Sequence, residues 1–186
     1  MGRFATPLGS VFAACAAALL LALPVSAGAA TLDELYAELA DPDNREWQRT
    51  QSDILREWSK SGSPAMDLLL KRGREAMEAG DLEAAIEHLT ALTDHAPDFA
   101  EGWNARATAY YMAGQFGPSV ADIRRTLALN DHHFGALSGL GLILEELGYD
   151  TRAIEAYRAA LAIHPHHERI RESLARLERK TSGTRL

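Results

Sequence analysis

Cysteine is almost absent: the single one among 186 residues is Cys15. That excludes a disulfide framework, a thiolate metal cage and, if the first thirty residues are removed, a cysteine nucleophile. Aromatic residues amount to only 7% and proline to 7 residues, against a large supply of alanine, a balance that favours helix over sheet. Positive charge is also in deficit, with 19 Lys and Arg against 26 Asp and Glu, net −7. Such a surface repels phosphate backbones, so nucleic acid is not an expected partner. Hydrophobic residues at 47% and charged ones at 24% rule out a disordered chain and leave room for one domain.

A long membrane-spanning run is missing too. The longest apolar stretch, Val11 to Val25, is too short to cross a bilayer comfortably. It follows Arg3 and ends in Ala27-Gly28-Ala29, a small-x-small pattern. Residues 1–30 are therefore expected to be a cleaved signal peptide, with the cut near Ala29 or Ala30. The expected product is periplasmic or secreted, without a membrane span. Cys15 lies too early in the apolar run for lipoprotein processing. Loss of the leader would take Arg3 and leave a still more acidic chain.

What is present is a period. Aligned without gaps, residues 66–99, 100–133 and 134–167 form three units of 34 residues. Gly80, Gly114 and Gly148 coincide, as do Ala85, Ser119 and Ala153, the turn positions Pro97, Asp131 and Pro165, and Gly73, Ala107 and Gly141. Each unit reads as two amphipathic helices split by a glycine. In the first, Leu82, Ala85, Ile86, Leu89 and Leu92 recur at three- and four-residue intervals. The small residues at the repeated slots let helix backbones cross closely. Residues 168–180 carry Ile170, Leu174 and Leu177 on one stripe and basic residues elsewhere, as a capping helix does, with 181–186 as a frayed tail. Residues 31–62 read as another helical hairpin, a candidate degenerate repeat, with a capping box at Thr31 and Glu34. Trp58 on that hairpin is expected to plug the open face of the first unit.

Trp103, Tyr110, Leu140-Gly141, Gly73, Ala85 and Ala153 stand at the spacing of the tetratricopeptide repeat, and the chain resembles that family over about 102 residues. It departs from the pattern at Arg72 and Arg106, which take a leucine slot, at Asp131, which replaces the turn proline, and at Tyr149-Asp150. The resemblance implies an all-α fold: an α-solenoid of three helix pairs with an N-terminal hairpin and a C-terminal capping helix. It also implies a concave groove that receives a peptide or helix of another protein, without catalysis and without a cofactor.

The groove slots carried over are Leu70, Arg74, Met77 and Glu78 in the first unit. In the second they are Asn104, Thr108, Tyr111 and Met112, and in the third Ser138, Leu142, Glu145 and Glu146. Asn104 offers both a donor and an acceptor to an extended backbone, and Tyr111 offers area at low entropic cost. Leu70, Met77 and Leu142 read equally well as core. Family members that grip a terminal carboxylate use a lysine and an asparagine where this chain has Leu70 and Arg74, so that clamp is incomplete.

Histidine supplies a rival reading. "LNDHHF" and "IHPHHE" place His132 and His133 one period before His166 and His167, with His164 alongside. Their positions are inter-repeat turns, where solvated residues are expected. A metal- or pH-responsive protein built on these five histidines is the alternative function; an accessory subunit in envelope-enzyme or cytochrome assembly is another. His88 and His95 are expected on helix surfaces. Neither a nucleotide-binding glycine motif nor a hydrolase elbow is in phase around Ser138.

Overall fold

The computed structural model describes residues 1–2 and 30–183. The leader reading, Cys15 and residues 184–186 lie outside these bounds. Among the described residues there are nine helices and no strand: α1 Leu32–Ala40, α2 Trp47–Trp58, α3 Pro64–Glu78, α4 Leu82–His95, α5 Ala100–Met112, α6 Phe116–Leu129, α7 Phe134–Glu146, α8 Asp150–Ile163 and α9 Glu168–Gly183. The last helix runs through the first half of the expected tail.

Each pair, α3–α4, α5–α6 and α7–α8, is closed by the same device. Gly80, Gly114 and Gly148 sit at φ of 77°, 71° and 78°. Around Gly80, Gly80 N donates to Met77 O (3.0 Å) and Asp81 N to Ala76 O (2.9 Å). These two crossed bonds satisfy the last carbonyls of α3 as a left-handed glycine allows. The same pair of bonds recurs at Gly114 and Gly148.

The crossing inside each pair is tuned by size. A Cβ on Gly73 would stand 2.5 Å from Leu89 Cγ, and one on Gly141 would fall on the Tyr157 ring. Ala107 holds the same slot in the middle pair, where the facing residue one period along is Ile123. There Ser119 Oγ donates to Ala107 O at 2.7 Å. Separate apolar clusters around Leu70, Leu89 and Leu92, around Ile123 and Ile143, and around Tyr157, Ile170 and Leu177 follow one another along the array. The departure at Arg106 is absorbed by a buried ion pair. Its Nε and Nη2 reach Asp122 at 2.7 and 2.9 Å, its Nη1 reaches Thr93 at 2.8 Å, and its guanidinium lies 4.8 Å from the Trp103 ring centre.

The N-terminal hairpin corrects an expectation. Thr31 and Glu34 make the capping box, and α1 packs on α2, but Trp58 does not plug the first pair. It stacks on His133 at 4.2 Å between ring centres and meets Phe134 at 4.9 Å. Leu35, Leu39, Ile54 and Trp58 close one apolar cluster with Phe134, with Ile163 at its edge. The hairpin therefore folds back across the turns that precede α7 and α9. Leu68, on α3, stays 46% exposed.

The turn histidines are corrected with it. His133 and His164 are 2% and 1% exposed rather than solvated. His132, by contrast, is exposed, though it stacks on Tyr36 at 4.7 Å. No helix among the described residues is long and apolar enough to cross a membrane.

Candidate functional site

Successive first helices α5, α7 and α9 stand side by side and leave a groove of about 500 Å³. Its floor is Ala107, Ile123, Ala136 and Ile143, all buried, and its rim carries Met112 and Leu142 at 49% and 39% exposure. Small residues make the hollow: Gly135, Gly139 and Ser138 on α7 present little bulk to it. Exposed apolar side chains on a rim above an apolar floor are what a partner's side chains can cover.

Of the residues picked from the sequence, Asn104, Thr108, Tyr111, Met112, Ser138 and Leu142 line this groove. Thr108 Oγ1 and Ser138 Oγ each donate to a carbonyl one turn back, Asn104 O and Phe134 O, so both present their methylene and methyl groups rather than a free donor. Tyr111 packs against Phe116 at 5.9 Å. Burial, then the neighbouring Glu146, hold its phenol above the ordinary tyrosine value, so it is a neutral hydroxyl.

The remaining picks are placed elsewhere. Leu70 is core at 2% exposure, and Met77 packs on the same cluster. Arg74 is tied to Glu101 and to Ser59 Oγ (3.2 Å), and with Glu78 it borders a separate shallow hollow. Glu145 accepts from Tyr157 Oη at 2.9 Å and pairs with Arg176. Burial first and Glu145 second push the Tyr157 phenol well above the ordinary tyrosine value, so it stays protonated and donates.

The far wall had no counterpart among those picks. His167, Arg169, Ile170 and Ser173 supply it from the start of α9. The signal was available: α9 starts one period after α7 and serves as a fourth first-type helix as well as a cap. Arg169 thus falls in register with Gly135 and Glu101. His167 is held below the ordinary histidine value, by burial first and by Arg169 second.

Glu101 was missed as well. It is 6% exposed in the first turn of α5 and gathers Arg74, Asn104 Nδ2 (3.4 Å) and His133 Nε2 (2.9 Å) on its two oxygens. The helix N-terminus favours a carboxylate there, and Arg74 balances its charge. Asn104 is thereby anchored from beneath.

Among the described residues no group of three or more His, Cys, Asp or Glu is arranged to hold a metal ion.

Tetratricopeptide repeat family profiles match residues 70–117 and 134–177. A TPR repeat-containing protein of Rhizobium etli is 34% identical over 157 residues, covering 83% of this chain and 76% of that protein. The chain belongs to the tetratricopeptide repeat family. Solved TPR structures share the fold. The first TPR domain of Spaghetti (RPAP3), bound to the HSP90 peptide SRMEEVD, superposes with a TM-score of 0.62 at 22% identity, over 64% of this chain and 98% of that one. The Sgt2 TPR domain of Aspergillus fumigatus gives 0.62 at 24% identity, over 66% and 83%. MamA gives 0.60 at 26% identity, over 76% and 85%. In this TPR chain the hairpin α1–α2 and its histidine contacts are additions to the repeats that the family profiles match.

Proposed function

We propose that this TPR protein is a non-catalytic binding module that holds a short segment of another protein in the α5–α7–α9 groove. The observation that carries the reading is the groove itself: an apolar floor, an exposed Met112 and Leu142 rim, and one anchored amide at Asn104. Methionine adapts to irregular apolar side chains, and the helices that form the site are already ordered, so little entropy is lost on binding. The peptide bound by the RPAP3 domain supports peptides as the ligand class. Arg169 at the far wall favours an acidic group at that end. With the leader expected at residues 1–30, the place of action we propose is outside the cytoplasm, in envelope assembly or maintenance.

The test is a peptide-display selection against the protein, repeated with Met112→Asp/Leu142→Asp. Both side chains are exposed, so the variant keeps its melting temperature within the small range of surface changes. Selected peptides are expected to bind it at least tenfold more weakly, a loss of about 1.4 kcal/mol. Equal binding to both proteins sinks the groove.

A further inference from the structure

The hairpin meets the repeats through histidine rings. His166 lies parallel to Trp47 at 5.4 Å and donates from Nε2 to Asp41 O at 2.9 Å. His164 packs on Trp47 and Phe134 and donates from Nε2 to Gln51 Oε1 at 3.0 Å. His133 stacks on Trp58.

The two buried rings are fixed in orientation by what surrounds them. His133 Nδ1 accepts from Ala136 N at 3.0 Å, capping α7, so its proton is on Nε2, facing Glu101. His164 carries its proton on Nε2, and its Nδ1 is buried with no partner. A second proton on His164 would create a cation whose Nδ1–H has nothing to bond.

We propose that α1–α2 is a proton-released strap: neutral His164 holds it across the repeat turns, and protonation lets it go and loosens the groove wall at residues 167–169. The coupling to the groove is physical, because His167 and Arg169 line both the groove and the recess that Trp47, Gln51, His164 and His166 share. The strap itself does not depend on the groove's binding a peptide.

The charges around it set the sign. His164 faces Trp47 and Gln51 on α2, Phe134 on α7, and His166 and His167 on its own turn. In the same recess Glu168 is engaged by Arg171, and Arg169 adds positive charge. Glu101 faces His133 and is paired with Arg74. Asp131 lies beside the exposed His132. Burial, then His167 and His166, lower His164 from 6.5 to about 4. The strap is fully held above the ordinary histidine value and is lost as the pH falls towards the depressed one. Between pH 7.5 and pH 5 the released fraction should rise about 30-fold.

Hydrogen exchange read by mass spectrometry tests this on the protein alone, at the two pH values, after correction for intrinsic rates. Peptides from residues 32–58 are expected to lose about 30-fold protection while α4 and α6 keep theirs. His164→Gln should flatten that response, and His88→Gln should leave it intact. Equal hairpin protection at both pH values, or loss in step across all helices, overturns the strap. Should His164→Gln fail to fold, histidine ring NMR of the unaltered protein decides: His164 must stay neutral through pH 6.5, and an ordinary midpoint overturns the proposal.

Discussion

Arg106 stands where the family pattern has leucine, and its pairing with Asp122 shows how a charged residue can hold a core slot. The two side chains are 12% and 7% exposed, so the pair is desolvated as well as attractive. Removing one partner strands the other. Arg106→Leu is expected to cost about 3–5 kcal/mol, and Arg106→Leu with Asp122→Ala to recover most of that, both read from urea midpoints. The departure was legible in the sequence; its partner, a full turn into the next helix, was not. The glycine slots were legible because close crossing admits few residue types. Gly141→Ala should lower stability by about 1–3 kcal/mol, since its methyl would meet the Tyr157 ring. The histidines show the limit of such reading. His132 and His133 are neighbours in one turn, yet one is exposed and the other buried, because a tryptophan from far upstream covers only the second.

Among the helices, those of the three pairs follow from periodicity, since the glycine turn bonds and the small crossing slot recur in each unit. The hairpin does not recur. Its bonds from Gln51 to His164 and from Asp41 to His166 span 113 and 125 positions, and nothing periodic announces a contact made once. Trp58→Ala is accordingly expected to cost about 3–5 kcal/mol and to raise hydrogen exchange at the start of α7 rather than in α3. Unchanged exchange at Phe134 would show that the hairpin contributes no support there. The groove divides along similar lines. Its α5 and α7 residues came from the repeat register, while its α9 wall was overlooked because a terminal helix was read only as a cap.

At the scale of the whole molecule, a stack of repeats has no contacts between distant units, and its curvature is the sum of small angles between neighbours. This chain adds a connection that ordinary stacking lacks. Deleting residues 31–62 should leave the helical circular dichroism of the remaining pairs in place while lengthening the particle seen by small-angle X-ray scattering. An unchanged maximum dimension would mean that stacking alone sets the curvature. An open array of helices behaves as a spring that bends and stretches with its cargo. With α1–α2 laid over the turns before α7 and α9, this spring is clipped shut at a set pitch. A guest must match a cradle whose width is decided before it arrives.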